Sequence, residues 1–150
     1  MSDVPDGEEL PVISVHTGPL PVKTTIVTAA IIERDGRFLV TRRPPGVHLA
    51  GAWEFPGGKC DADEPLTVCM TRELREELAI EAIIGREILT TTHDYPDRRV
   101  ELHFFRCEST EEPSPVLGQE MRWVERHELG QLEFPPADSA LITILMPSAK

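Results

Sequence analysis

The chain has 150 residues, of which 40% are hydrophobic and 27% are charged, and its formal net charge is −11. This length and composition predict a single globular domain that can bury a core. The acidic balance argues against a nucleic-acid polymer or an anionic membrane as partner, because both require basic patches. Neither a long apolar run nor a basic-then-apolar leader pattern occurs in the sequence, so we expect a cytoplasmic protein.

Three cysteines are present, Cys60, Cys69 and Cys107. Their odd number and the lack of CxxC spacing suggest neither a disulfide framework nor a zinc site, which is consistent with a reducing compartment. Cys60 is interpreted as a small hydrophobic residue. At the N-terminus, residues 1–21 are rich in proline and acidic residues and predict a flexible tail before a folded domain at 22–150.

The folded part opens with a predicted hairpin. Apolar runs on either side of Asp35-Gly36 predict strands at about 24–33 and 37–42, because this dipeptide favours a two-residue turn. The segment that follows, RRPPGVHLAGAWEFPGG, is rich in proline, glycine and aromatic residues. This composition predicts a folded binding loop.

A carboxylate-rich helix is predicted from Pro65 to Leu78, since proline suits a first helical position and no glycine or proline follows within it. On that helix Glu73, Glu76 and Glu77 fall within about a third of the circumference. Their mutual repulsion should raise their pKa values, and a divalent cation such as Mg²⁺ or Mn²⁺ would offset it. The alternative is an exposed acidic face held by Arg–Glu pairs.

The remaining elements complete an α/β pattern. One or two strands are predicted at 80–92, a turn at 93–97, a strand at 100–107, a loop at 108–118, a strand at 120–124, a helical turn at 125–129 and a closing helix at 136–146. Helices and strands in this order predict an α/β sandwich.

The order Gly58, five residues, Glu64, seven residues, then Arg72-Glu73-Leu74-Arg75-Glu76-Glu77 closely resembles the Nudix hydrolase signature, G-x5-E-x7-R-E-U-x-E-E-x-G-U, with U a bulky aliphatic residue. The resemblance implies an α/β/α sandwich with a mixed sheet. It also implies hydrolysis of a nucleoside diphosphate linked to another group, by water that a metal activates, with Mg²⁺ as cofactor and Mn²⁺ able to substitute.

Carried over position by position, the signature implies the metal ligands and the catalytic residues. The ligands would be the carboxylates of Glu73, Glu76 and Glu77 and the carbonyl of Gly57. Arg72 would orient a glutamate, and Glu64 would contact the residues around the metal without binding the metal itself. Glu73 is our choice for activating water, although a role as ligand alone fits its place equally well.

Two positions depart from the pattern. Ala79 stands where the family has a helix-ending glycine, at a residue that would adopt positive φ, where alanine costs about 1 kcal/mol. Leu117 stands where MutT-like proteins often have a further metal-binding glutamate. Glu120, Asp94 and Glu101 are open candidates to replace it.

Flanking segments narrow the resemblance: TRR at 41–43, His48, WEFPGGK at 53–59, YPDR at 95–98 and FPPAD at 134–138 are similar to MutT-like nucleoside triphosphate pyrophosphohydrolases, including CTP pyrophosphohydrolases. The implied base-binding residues are His48, Phe55, Tyr95 and Asp138, and Arg43 and Lys59 are the candidate phosphate-binding residues. Packing roles for the first three, solvated cations for Arg43 and Lys59, and helix capping by Asp138 stay open.

The leading hypothesis is Mg²⁺-dependent hydrolysis of a nucleoside triphosphate to monophosphate and pyrophosphate, acting on 8-oxo-dGTP or on CTP and modified dCTP. Relatives that prefer oxidised guanine resemble this chain but carry asparagine at the position of Asp138. An ionised aspartate only accepts hydrogen bonds and so suits the amino group of cytosine, whereas a protonated one could imitate asparagine.

Two alternatives remain: a Nudix hydrolase of ADP-ribose or another conjugate, and a nucleotide-sensing module without turnover, suggested by Leu117. In each case the expected partner is a small nucleotide. The protein itself is expected to be a monomer or homodimer.

Overall fold

A seven-stranded mixed sheet forms the centre of the computed structural model, which describes residues 23–47 and 49–146. The strands are β1 (Thr24–Arg34), β2 (Arg37–Arg42), β3 (Trp53–Glu54), β4 (Gly57–Lys59), β5 (Ile83–Tyr95), β6 (Arg98–Glu108) and β7 (Met121–Glu125). The helices are α1 (Leu66–Leu78) and α2 (Ser139–Leu145), with 3-10 segments at Arg126–Gln131 and Pro136–Asp138. The predicted tail, residues 1–21, and His48 lie outside the described residues.

The strand order is β3-β2-β1-β6-β5, with β4 added to β1 and β7 added to β2. The β1–β6 pair is parallel and the other pairs are antiparallel. Because β1 lies in the middle and is covered on both faces, its apolar run is buried on both sides, as is typical of strands in parallel pairing.

Two hydrophobic clusters lie on opposite faces of the sheet. Ala29 and Ile31 of β1 face the cluster that includes Leu141 of α2, whereas Ala30 and Ile32 face the cluster that includes Leu74 of α1. Successive side chains of a strand point to opposite faces, so one strand supplies both cores. The predicted α/β/α sandwich with a mixed sheet is confirmed. No helix within the described part of the chain is long and apolar enough to cross a membrane.

The elements that local sequence signals define lie where they were predicted. The β1–β2 hairpin turns at Asp35 and Gly36, which both have positive φ (54° and 78°) as a two-residue hairpin turn requires. The predicted helix is also present, although it begins at Leu66 and Pro65 occupies the N-cap position.

Other elements differ from the prediction. The predicted binding loop contains β3 and β4, which pair with β2 and β1. Strand β5 continues to Tyr95, so the turn before β6 is shorter than predicted. The closing helix is split into a 3-10 turn and α2. Strands of two or three residues are too short for periodicity to reveal, and their pairing partners are distant in sequence.

The predicted strain at the end of α1 is present, since Ala79 adopts a left-handed conformation with φ 58°. We therefore expect Ala79→Gly to increase the free energy of unfolding by about 1 kcal/mol and the melting temperature by about 2–4 °C. Ala50→Gly is the matched control, because Ala50 is exposed and is not among the residues at positive φ. Calorimetric melting curves that rank Ala79→Gly at or below wild type would contradict this account of the helix end.

The expectation that the cysteines form no disulfide is wrong for one pair. Cys60 and Cys69 are disulfide-bonded, with Cα atoms 5.3 Å apart, whereas Cys107 is free and buried. The loop after β4 folds back onto the first turns of α1 and brings the two residues within the usual disulfide range. Residue spacing could not show this, because the close approach depends on how α1 packs on the sheet.

Candidate active site

Strand β4 and helix α1 approach each other closely because β4 contains two glycines. A Cβ on Gly58 would overlap the carboxylate of Glu73, and a Cβ on Gly57 would overlap the backbone of Thr28 on β1. The backbone N–H of Gly57 donates to Glu77 Oε1 at 2.9 Å. The glycine pair thus lets the backbone of β4 lie directly against the carboxylate face of the helix.

Arg72 connects the loop before α1 with the carboxylates on it. Its guanidinium donates to both oxygens of Glu64, at 2.8 and 2.9 Å, and to the carbonyl of Lys59 at 3.1 Å. It also donates to Glu73 at 2.9 Å and Glu76 at 3.2 Å. The hydrogen bonds from Arg72 lower the pKa of Glu64 to about 2. Arg72 therefore contacts the glutamates that it was predicted to orient.

The pKa values of two helix carboxylates are raised, and the main cause differs from the prediction. Burial raises the pKa of Glu73, against the opposing effect of Arg72. Burial also raises the pKa of Glu77 to about 7, opposed by the Gly57 N–H and assisted by the charges of Glu54 and Glu73. Desolvation, and only secondarily mutual repulsion, thus makes ionisation costly here.

The donor set of this helix fits a divalent cation. Glu77 is 8% exposed and the side chain of Glu73 is 16% exposed, so their negative charges gain more from a bound cation than surface carboxylates would. The carboxylate oxygens of Glu73, Glu76 and Glu77 do not all lie within 4.8 Å of one another. Among the described residues, Cys60, Glu64 and Cys69 do have ligand atoms within 4.8 Å of one another, but the two sulfurs are bonded to each other.

A cavity of about 360 Å³ lies beside β4 on the sheet face opposite α1. Its lining contains six residues that the sequence predicted for the site: Arg43, Phe55, Gly57, Lys59, Tyr95 and Asp138. Arg72, Glu73, Glu76 and Glu77 are not among the lining residues and lie on α1, on the other side of β4. Strand β4 therefore lies between the cavity and the carboxylate helix.

The two aromatic residues of the cavity wall also pack against other rings, Phe55 in the core and Tyr95 nearer the surface. Phe55 is 4% exposed, stacks on Phe134 with ring centroids 5.3 Å apart, and meets Phe104 edge to face at 6.4 Å. Tyr95 packs against the ring of His93 at 4.7 Å. Each therefore combines a packing role with a place on the cavity wall.

Asp138 is the buried acid of the cavity. It is 4% exposed, and burial, followed by the charge of Glu54 and opposed by Arg43, raises its pKa to about 7. Its side chain makes no capping hydrogen bond to α2, which does not support the capping alternative. Both the protonated and the ionised carboxyl are therefore accessible near neutral pH.

Glu54 lines the cavity and was not predicted from the sequence. It accepts a hydrogen bond from Arg43 at 2.8 Å, and burial still raises its pKa. Its charge contributes to the raised pKa of both Glu77 and Asp138, so it acts on the helix carboxylates and on the buried acid of the cavity. The alternation of side chains along a strand could have indicated Glu54, because it places Glu54 on the opposite face of β3 from the buried Trp53.

Leu117 is 74% exposed, in a loop that docks on the C-terminal end of α1 through the N–H of Val116, which donates to the carbonyl of Glu77 at 3.1 Å. The three candidate substitutes for a glutamate at this position are engaged elsewhere: Glu120 with Arg42 and Arg122, Asp94 with Arg99, and Glu101 with His103. Glu54 is a further carboxylate near α1, and its charge raises the pKa of Glu77.

Comparison with known proteins identifies the class. A NUDIX domain model matches residues 27–143. The CTP pyrophosphohydrolase of Escherichia coli is 36% identical over 83% of this chain and 93% of its own length, and the 8-oxo-dGTP diphosphatase of Haemophilus influenzae is 38% identical over 80% and 90%. The solution structure of the E. coli ORF135 protein has a TM-score of 0.71 at 38% identity, covering 85% of this chain and 91% of that chain.

The chain therefore belongs to the NUDIX family. It is a MutT-like Nudix hydrolase, and the predicted enzyme class, a pyrophosphohydrolase, is confirmed.

The raised pKa values predict how stability depends on pH. Glu77, with a pKa raised from 4.5 to about 7, holds its proton in the folded protein at pH values where the unfolded chain has lost it. Asp138 behaves likewise, from 3.8 to about 7. The metal-free protein should thus lose stability as pH rises from about 4 to 7, by on the order of 3 kcal/mol for each group.

Melting curves in EDTA at pH 5.5 and pH 8 measure this effect. Glu77→Gln or Asp138→Asn should flatten the pH dependence, whereas Glu120→Gln, at an exposed ion pair, should leave it unchanged. A divalent cation bound by ionised Glu77 would restore stability at pH 8. A melting temperature in EDTA that rises steadily from pH 5.5 to 8 would contradict these pKa directions.

Proposed function

We propose that this chain is a cytoplasmic, divalent-metal-dependent nucleoside triphosphate diphosphatase that releases pyrophosphate and a nucleoside monophosphate. The observation that supports it most is the cavity, which extends from Asp138 to Gly57, Gly58 and Lys59, directly across β4 from the carboxylate helix. This arrangement suits a molecule with a base at one end and phosphates at the other. The relatives named for CTP and 8-oxo-dGTP support the same substrate class.

In this proposal the chain supplies positioning and charge. Arg43 and Lys59 line the cavity and place positive charge where phosphates would lie. Arg72 holds Glu73, and the Gly57 N–H holds Glu77, so both carboxylates face β4 in fixed orientations. A divalent cation, when bound by Glu73, Glu76 and Glu77, would neutralise phosphate charge and acidify water.

Proton removal from the attacking water is assigned to a carboxylate oxygen of Glu73. Its burial raises its pKa, which brings the carboxylate closer to the basicity that a general base needs at neutral pH. The expected rate is higher on the alkaline side, because the cation is held only by ionised carboxylates.

For the base we propose cytosine nucleotides, including modified ones, accepted at least as well as 8-oxo-dGTP. Asp138 lies buried in the cavity wall, and in its ionised form it accepts hydrogen bonds only, which suits the exocyclic amine of cytosine. Because its pKa is about 7, the protonated form can also pair with a carbonyl, so some turnover of 8-oxo-dGTP is expected.

Product analysis tests the reaction. Purified protein with Mg²⁺ is incubated with CTP, dCTP, 5-methyl-dCTP, dGTP, 8-oxo-dGTP and ADP-ribose, and the products are separated by ion-exchange chromatography. Monophosphate and pyrophosphate from at least one triphosphate are expected. No turnover of any triphosphate, with Mg²⁺ or Mn²⁺, would contradict the proposal, and AMP with ribose phosphate as the only products would assign the chain to nucleotide conjugates.

A further inference from the structure

The Cys60–Cys69 disulfide encloses the loop on which the candidate metal site depends. Cys60 directly follows β4, and Cys69 lies in the first turns of α1. The covalent ring of residues 60–69 contains Glu64, which accepts hydrogen bonds from Arg72. The same guanidinium holds Glu73 and Glu76, so the bridge lies beside the residue that orients the helix carboxylates.

The two sulfurs differ in access. Cys69 is fully buried, with the hydroxyl of Thr28 at 3.4 Å and the guanidinium of Arg72 at 3.9 Å from its sulfur. Cys60 is part-exposed, so a small reagent can reach it. Cys107 is buried and free, and it serves as an internal reference thiol.

This single disulfide differs from the disulfides that hold small domains together. The chain builds two apolar clusters without it, whereas structural disulfides typically support small secreted domains with little core. In a reducing cytoplasm, disulfides are usually transient and redox-sensing. We propose that Cys60 and Cys69 are a reversible redox pair, and that the disulfide form holds the loop against α1 and binds the divalent cation more tightly than the dithiol form.

The oxidation uses a small-molecule disulfide such as oxidised glutathione. The Cys60 thiolate attacks one glutathione sulfur, which forms a mixed disulfide and releases one glutathione thiolate. The Cys69 thiolate then attacks the sulfur of Cys60 and releases the second glutathione. Two protein thiols are thereby oxidised to one disulfide, and one oxidised glutathione is reduced to two thiols.

The expected effects follow from the position of the ring. Opening the ring increases the number of conformations accessible to the loop and to the unfolded chain. The melting temperature should therefore be about 5–10 °C lower in the dithiol form. Loss of the constraint on Glu64 and Arg72 should raise the Kd for Mn²⁺ by about threefold to tenfold. The metal effect depends on the proposed function, whereas the effect on melting in EDTA does not.

The test compares full-length protein reduced with a phosphine and oxidised with glutathione disulfide, after removal of both reagents and of metal. Intact mass should show the loss of two hydrogens on oxidation, and peptide mapping should place the bond at Cys60 and Cys69. Melting in EDTA and Mn²⁺ titration by calorimetry are then measured for both forms. Cys60→Ala and Cys60→Ser should behave like the reduced protein under both treatments, and Cys107→Ala should keep the full redox response.

Three results would overturn the proposal. One is failure to form the bond in excess glutathione disulfide, and another is a bond that changes neither melting nor the Kd for Mn²⁺. The third is tight Zn²⁺ binding by the reduced protein that Cys60→Ala abolishes, which would make the pair a metal site. If Mn²⁺ binds to neither form while the melting shift persists, the result contradicts the proposed metal site and the effect of the disulfide on metal affinity. The reversible redox pair is then supported by the melting shift alone.

Discussion

Glu77→Gln should reduce turnover by about two to four orders of magnitude while making the metal-free protein more stable to heat at pH 8. Glu77 is buried, and its pKa near 7 means that ionising it at pH 8 costs folding free energy. Glutamine removes that charge, and its amide oxygen can still accept the Gly57 N–H. Melting in EDTA and kcat at saturating Mg²⁺ measure the two opposite effects.

Glu76→Gln is the matched variant, because the Glu76 side chain is 59% exposed and lies on the same helix. It should also lose turnover, yet its melting temperature in EDTA should stay within about 2 °C of wild type. Glu120→Gln should change neither quantity, since Glu120 is exposed and pairs with Arg42 and Arg122. Near-normal turnover of either helix variant at low Mg²⁺ would contradict the assignment of these carboxylates.

Asp138→Asn should shift base preference from cytosine toward 8-oxoguanine. Asparagine donates and accepts at once and can pair with a carbonyl beside an N–H, whereas ionised aspartate only accepts. We expect kcat/KM for 8-oxo-dGTP relative to dCTP to rise by about 10- to 100-fold, in line with the 1–3 kcal/mol of a specific base contact. The same ratio in wild type should fall between pH 6 and pH 8, because Asp138 ionises over that range and faces Glu54, Arg43 and Tyr95.

The measurement is kcat/KM for CTP, dCTP, 5-methyl-dCTP, dGTP and 8-oxo-dGTP with wild type and Asp138→Asn, at pH 6 and pH 8. In the asparagine variant the pH dependence of the ratio should disappear. A wild-type preference for 8-oxo-dGTP of a hundredfold or more, about 2.7 kcal/mol, would contradict the cytosine assignment.

The parts of the molecule that the sequence predicted correctly depend on short-range signals. The Asp35-Gly36 turn, helix α1 and the positive φ of Ala79 each follow from a few adjacent residues. The placement of Arg43, Phe55, Lys59 and Asp138 around one cavity came from the family resemblance, which carries three-dimensional information that residue spacing lacks.

The parts that the sequence did not predict depend on distant contacts. The close approach of Cys60 and Cys69 requires α1 to be packed on the sheet. The role of Glu54 requires β3 to place it beside Arg43, where its charge acts on both Glu77 and Asp138. Spacing along α1 predicted crowded carboxylates, but the burial that raises the pKa values of Glu73 and Glu77 is a property of the folded protein.

In the proposed function, one nucleotide lies in the cavity with its base at Asp138 and its phosphates at β4, facing the carboxylate helix. A crystal structure of wild-type protein with Mn²⁺ and a dCTP analogue whose α–β bridging oxygen is replaced by NH tests it most directly. We expect the cytosine amine within hydrogen-bond distance of Asp138, phosphates beside Arg43 and Lys59, and anomalous signal from Mn²⁺ at Glu73, Glu76 and Glu77. Cytosine bound away from Asp138, or Mn²⁺ bound away from α1, would contradict the account.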